Sequence, residues 1–312
     1  MEINSQLIKS TLDKLEIDYI WDNYVDGIYH IASLFSPISN GFYFYMDADN
    51  FNLNTKNSLI ILNIEPAVNQ NNNQFIILKE KDPQEVFYSI LNFLYKKVSS
   101  GVIASTSIIS SNSYIGKNVQ IDDFCIIEEN VQIDDGVIIG SHTKIHANTT
   151  IKRGSVIDSG CVIGAQGVAW VWSNYQTEKI VQPQLGGVFI DEKCVIGAGT
   201  IIVRGSLNEN TQIGKNTLMA PGGRIGHGTK IGNFVHFANS VVTGGNTIVG
   251  DYSFVGSAAV FRPKVSIHAK TIVGAGSLVL KNTSGEGFSL MGVPAKQTKT
   301  KVYPSGMPKP KL

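Results

Sequence analysis

The chain lacks any apolar run approaching the roughly 20 residues that a membrane-spanning helix needs. It also lacks a charge excess. Its 26 Lys and Arg stand against 25 Asp and Glu, a net charge of +1. That balance gives no electrostatic case for nucleic acid or an anionic membrane surface as a partner. Cysteine is scarce. Cys125, Cys161 and Cys194 are odd in number and without metal-type spacing, which argues against a disulfide framework or a thiolate metal centre. The six histidines have no clustered ligand partners, so no metal is expected. The first residues, MEINSQLIKSTLDKLE, lack the apolar block of a signal peptide, and a soluble, cytoplasmic protein is expected. At 312 residues the chain is long enough for two domains.

What the chain does have is a period. Isoleucine recurs every six residues from Ile103 to Ile163, eleven times without a miss. The phase breaks at Gly164, resumes at Ile190, Ile196 and Ile202, and slips again around 204–210. It then runs through Ile213, Met219, Ile225, Ile231, Phe237, Thr243, Val249, Val255, Phe261, Ile267, Val273 and Val279. Thr243 is the one polar member. Two residues before each member sits a small or β-branched side chain, and all three cysteines occupy that slot, which reads them as buried core thiols. Glycine often follows the apolar position and accepts turn dihedrals.

A period of six is neither helical nor that of one long strand. It suits short strands turning every six residues, with three sides closing a coil of about 18 residues and strand-pairing distance between coils. The fold class is therefore mainly β, a β-helix of hexapeptide repeats over 101–287. Residues 1–100 lack the period and read as a small α/β domain. Gln6–Leu15 is predicted as an amphipathic helix, GFYFYM, SLIILN and QFIILK as strands, and Asp82-Pro83 as the start of a second helix. The stretch 164–189 leaves the coil as a long loop bearing Trp170, Trp172 and Tyr175. It is either a flap over a site or a patch joining subunits. Residues 288–312 read as a polar, Pro-containing tail.

This organisation resembles the hexapeptide-repeat left-handed β-helix acyltransferases, in particular the UDP-3-O-acylglucosamine N-acyltransferase family of lipid A synthesis. The resemblance spans roughly residues 30–285 and is strongest from Gln184 to Gly256. Pro183-Gln184-Leu185-Gly186 matches a Pro-Gln-(Leu/Ile)-Gly motif, and Arg204-Gly205-Ser206-Leu207 matches the family's Arg-Gly-Ala-Leu turn. The left-handed winding is an exception to the usual crossover preference.

Carried forward from that turn without a gap, the resemblance places the catalytic histidine on His227. It places the glycine whose N–H steadies the thioester oxygen on Gly245. The two are 18 residues apart, one full coil, so the coil geometry by itself stacks them on one edge. The resemblance also implies an aromatic that stacks on a nucleobase and a nearby Asn that reads it. Phe44 matches the aromatic, although it also reads as a strand core residue, and Asp47 stands where the Asn is expected, which leaves the base open. Trp170, Trp172 and His236 are further substrate-binding candidates. His236 precedes an inward Phe237, which turns it outward on a flat face, where subunit contact is the plainer role. His142, His146 and His268 read as solvated turn residues, and His30 lies outside the coil.

The chain departs from the family in three ways. Lys264 stands where a second histidine is expected. The C-terminal helices that engage acyl carrier protein are missing. Gly292-Val293-Pro294-Ala295-Lys296 resembles the ending of sugar acetyltransferases that use acetyl-CoA. Coenzyme A is therefore the expected co-substrate, with Gly245, Gly256, Gly274 and Lys296 as its candidate contacts. The expected activity is N-acetyl transfer to the amino group of a UDP- or dTDP-linked sugar, for surface polysaccharide or glycan synthesis, by a homotrimer. The rivals are acyl transfer from acyl carrier protein in lipid A synthesis and a non-catalytic or carbonic-anhydrase-like coil.

Overall fold

A computed structural model describes residues 1–21, 24–46, 55–64, 71–174 and 177–300. The chain divides into two compact units, Met1–Lys97 and a second beginning at Val98.

In the first unit, β1 (Glu2–Asn4), α1 (Ser5–Lys14), β2 (Tyr19–Ile20), β3 (Ile28–Ile31), β4 (Gly41–Phe44), β5 (Leu59–Leu62), β6 (Gln74–Leu78) and α2 (Pro83–Tyr95) follow in order. The strands form one sheet, β1-β3-β4-β5-β6-β2. Its four central strands are parallel and its two edges antiparallel. The helix start at Asp82-Pro83 is as the sequence suggests: the Asp82 carboxylate accepts the N–H groups of Gln84 and Glu85, and proline at the first turn has no N–H to leave unpaired. α2 buries Val86, Phe87 and Ile90 in a core with Ile8, Leu12, Phe42, Leu59 and Ile61.

The second unit is a left-handed parallel β-helix. Face 1 runs from Ile108–Ile109 to Leu278–Val279, with nine described strands. Face 2 runs from Tyr114–Ile115 to Ser266–Ile267, with eight. Face 3 begins at Gln120–Ile121 and has ten. Strand pairing steps by 18 residues wherever the period holds, as in Ile126 with Lys144 and Arg224 with Val242. The inward positions from Ile121 to Val279 form one continuous core. Each fully buried isoleucine contributes on the order of 2 kcal/mol relative to exposure. Lower down the ladder loosens, with Ile109 and Ile115 partly buried and Ile103 exposed.

The three cysteines are buried in the corners. Burial pushes the thiols of Cys161 and Cys194 up to about 11. Several corners require a left-handed residue, and asparagine fills many of them. Phe234 and Tyr252 take that conformation too, against the preference of bulky side chains. They stack on each other in successive coils, with centroids 5.0 Å apart and planes 3° from parallel, an arrangement worth about 1 kcal/mol that offsets the backbone cost.

The reading of a tail over 288–312 is corrected for residues 288–299, while residues 301–312 lie outside the described residues. Phe288–Met291 adds to face 3 beside Ile272–Val273, and Lys296–Lys299 folds back antiparallel on it. The intervening Gly292–Ala295 turn accepts the Leu278 N–H at Gly292 and returns the Ala295 N–H to the Leu278 carbonyl. The sequence leaves the six-residue period here, but the last coil still presents unpaired strand edges, and this hairpin satisfies them.

Candidate active site

The corner between faces 1 and 2 is where the coil is interrupted. The aromatic excursion leaves there after Val162–Ala165 and returns at Gly187–Ile190. One coil later Ile202 and Ile213 are eleven residues apart, where Ile225 and Ile231 are six. The five extra residues make a turn over 204–209. His227 and then Gly245 occupy the next two coils of this same corner, in a register fixed by Gln212 opposite Lys230 and Ile225 opposite Thr243.

The His227 ring is half-buried and lies against Gly245. A Cβ at position 245 would overlap Nε2 and fall 2.6 Å from both Cδ2 and Cε1. The spacing-based expectation that the two groups share an edge therefore corresponds to direct proximity. The Gly245 N–H donates to no protein acceptor among the described residues, and its carbonyl accepts from the Lys264 N–H at 2.9 Å. The His227 carbonyl accepts from the Asn246 N–H at 2.7 Å, which fixes the backbone under the ring. The polar rung Thr243 lies beneath this corner. Its hydroxyl accepts the Gly226 N–H at 3.0 Å and lies 3.4 Å from the Thr229 hydroxyl, so the one break in the apolar ladder has polar partners.

Nδ1 of His227 lies 2.9 Å from the Ser206 hydroxyl. The Glu209 carboxylate accepts the N–H groups of Ser206 at 2.7 Å and Leu207 at 3.0 Å. The N–H groups of Glu209 itself, Leu207 and Ser206 hold that carboxyl below its usual range, with the His227 ring adding to the effect. Sequence reasoning missed Ser206 and Glu209. The available signal was the off-period length of their turn.

The flap is a hairpin, Ala169–Trp172 paired antiparallel with Lys179–Gln182. Trp170 and Trp172 meet edge to face at 5.2 Å, and the Lys179 ammonium lies 4.4 Å from the Trp170 ring centroid. Both tryptophans are exposed. Tyr175 and Asp47 lie outside the described residues. Phe44 is half-buried, tilted against Phe87 at 5.2 Å and Tyr88 at 5.7 Å, a strand residue on the α2 side of its sheet. His236 is half-buried on face 3, stacked on Phe254 at 5.2 Å, and burial lowers its pKa. Gly256 and Gly274 lie on the corner between faces 3 and 1, away from the His227 edge of the same chain. A Cβ on Gly256 would come 2.5 Å from the Ala275 nitrogen, so close coil stacking alone calls for glycine there. Lys296 is exposed and pairs with Met291, whose side chain borders Gly274.

His146 differs from its reading as a solvated residue. It is half-buried, with Nδ1 3.1 Å from a Glu128 carboxylate that also pairs with Lys144. Burial lowers its pKa against the opposing pull of Glu128. His142 is exposed and stacks on Phe124. His268 is exposed and bonds the Thr283 hydroxyl at 2.8 Å.

Residues 112–147 match the bacterial transferase hexapeptide (six repeats) family. No curated protein matches the chain. Among solved structures the chain is similar to UDP-N-acetylglucosamine O-acyltransferase from Moraxella catarrhalis, at 25% identity and TM-score 0.57, over 63% of this chain and 73% of that one. It is similar to LpxA from Acinetobacter baumannii at 25% identity and TM-score 0.56, over the same shares. The acyltransferase from Francisella novicida, at 21% identity and TM-score 0.57 over 66% of this chain and 72% of that one, shares the fold. The repeats and these neighbours support an acyltransferase. Among the described residues no helix is long and apolar enough to cross a membrane.

Proposed function

We infer that the protein transfers an acetyl group from acetyl-CoA to the amino group of a nucleotide-linked sugar. The observation that carries this reading is the placement of His227 Nε2 against Gly245, whose N–H has no protein acceptor among the described residues. A base and an unspent donor then face one reacting centre. The neutral amine adds to the thioester carbonyl carbon. The oxygen gains negative charge, and a fixed backbone donor there is worth on the order of 3 kcal/mol. The nitrogen of the adduct becomes acidic and gives its proton to Nε2, which an imidazole can accept near neutral pH. The carbon–sulfur bond breaks, and the departing thiolate takes the proton back from the imidazolium. The products are the amide and free coenzyme A, with no covalent enzyme intermediate.

Coenzyme A is the donor favoured by the Gly292–Lys296 ending. Lys296 is exposed and pairs with Met291, whose side chain borders Gly274, and its positive charge suits the phosphates of coenzyme A. Because those residues lie on a different edge from His227, a complete site takes the His227 edge of one copy and the other edge of a second copy. Apolar residues along the outer faces, Ile108, Ile126, Val242 and Val260 on one and Val195 and Leu218 on another, suit burial between copies of a homotrimer. Phe44 and the flap tryptophans are the proposed holders of the nucleotide and sugar. Mass spectrometry of UDP- and dTDP-linked amino sugars incubated with acetyl-CoA tests the reading; no gain of an acetyl unit by any of them rejects it.

The names of the structural neighbours, UDP-N-acetylglucosamine acyltransferases, favour a second reading, acyl transfer to a UDP-linked glucosamine derivative, for which acyl carrier protein is the proposed donor. The same assay with acyl carrier protein thioesters separates the two.

A further inference from the structure

The turn that precedes His227 in space is built to hold one hydroxyl in place. Ser206 sits in the five-residue extension of the coil, at the position where the resembled family has alanine. Its N–H is bound by Glu209 Oε1 at 2.7 Å, and its carbonyl accepts the Leu185 N–H at 3.0 Å. The neighbouring Gly205 exchanges backbone bonds with Gly186 and Gly187 at 3.2 and 3.0 Å. A Cβ on Gly205 would overlap the Glu209 carbonyl, so the turn closes only around glycine. With its backbone held on both sides, Ser206 presents Oγ to His227 Nδ1 at 2.9 Å.

The two ring nitrogens have different surroundings. Nε2 is the atom against Gly245, and Nδ1 is taken by Ser206. A neutral imidazole carries one proton, and only the nitrogen without it can act as a base. A base at Nε2 therefore needs its proton on Nδ1, with the Ser206 oxygen accepting. The hydroxyl alone could serve either tautomer. The Glu209 carboxylate breaks the tie: it is bound to the N–H of Ser206 at 2.7 Å, the residue whose hydroxyl meets Nδ1, so its negative charge favours a proton on that nitrogen.

We propose that Ser206 is the positioning residue for His227, with its hydroxyl, backed by the Glu209 carboxylate, holding the ring with Nδ1 protonated so that the Nε2 lone pair faces the acceptor at Gly245. The arrangement interposes a hydroxyl between imidazole and carboxylate. After proton transfer Nδ1–H still donates to Ser206, so the ring need not turn during the reaction. This rests on the reading of His227 as the base.

The test separates the two ideas. Long-range nitrogen–proton NMR of protein labelled with ¹⁵N-histidine reports the tautomer without substrate, and the signal missing from His227→Asn identifies the residue. Wild type is expected to show Nδ1 protonated, Ser206→Ala a mixture of tautomers, and Ser206→Thr the wild-type pattern. In the acetyl-transfer assay Ser206→Ala is expected to lower kcat about tenfold with little change in KM, and Ser206→Thr to restore it. An Nε2-protonated ring in wild type, or Ser206→Ala with unchanged tautomer and kcat, overturns the proposal. If His227→Asn keeps full activity, the base assignment fails instead, whatever the tautomer. Thermal melting of both Ser206 variants shows whether they fold; should the alanine variant not fold, the wild-type tautomer and the threonine variant still decide.

Discussion

The imidazole of His227 occupies the space a side chain at Gly245 would need. A methyl group there would overlap Nε2. Glycine is required at 245 by the ring of the coil below, since the residue is not among those with a left-handed backbone.

Gly245→Ala should therefore displace the ring while leaving the coil intact. The expected outcome is a fall in kcat of about 10²-fold, the scale of losing an aligned base or oxyanion donor, with a melting temperature within a few degrees of wild type. Steady-state kinetics and calorimetry check this. A Gly245→Ala protein with wild-type kcat would separate ring position from catalysis.

The flap offers two exposed tryptophans with a lysine over them. If they hold the sugar nucleotide, Trp172→Ala raises its KM about three- to tenfold, the scale of one aromatic contact, and leaves the assembly mass unchanged. If they join subunits, light scattering shows a smaller species. Wild-type KM with intact assembly contradicts both.

The corner thiols should be inert. With Cys161 and Cys194 raised to about 11 by burial, almost no thiolate exists at pH 8. Ellman's reagent is expected to find almost none of the three cysteines in native protein and all of them after denaturation. Rapid native labelling would contradict the burial.

His236 gives a pH dependence with a definite sign. Burial holds its pKa below the usual imidazole value, so the fold disfavours the proton that the unfolded chain accepts. Its contribution to stability is complete above about pH 6.5 and is lost as pH falls through the lower folded value. His236→Phe, which keeps a ring on Phe254, should melt with a smaller drop between pH 7.5 and pH 5 than wild type. Some slope remains, because burial also lowers the pKa of His146. Equal slopes would remove His236 from the effect.

Much of this molecule was legible because the coil repeats one instruction. Ile225 and Thr243, and with them His227 and Gly245, could be stacked by counting alone, since 18 residues separate partners wherever the period holds. Where the count fails, so did foresight. The Ser206–His227 contact comes from a turn with five extra residues, whose path depends on Glu209 folding back on its own N–H neighbours. The hairpin 288–299 carries no hexapeptide mark, because its pairing answers the open edge of the last coil. His146 looked like any turn histidine, since its partner Glu128 lies one coil away and only the register brings them together.

The central claim is that His227 removes the proton as acetyl transfers. Its most direct test is the rate of acetylated nucleotide-sugar formation by wild type and His227→Asn, at saturating acetyl-CoA and with both proteins shown to be folded. The expected result is a product one acetyl unit heavier in wild type and a rate about 10²-fold lower or worse in the variant. Equal rates, or no acetylated product from any UDP- or dTDP-linked amino sugar, would contradict it.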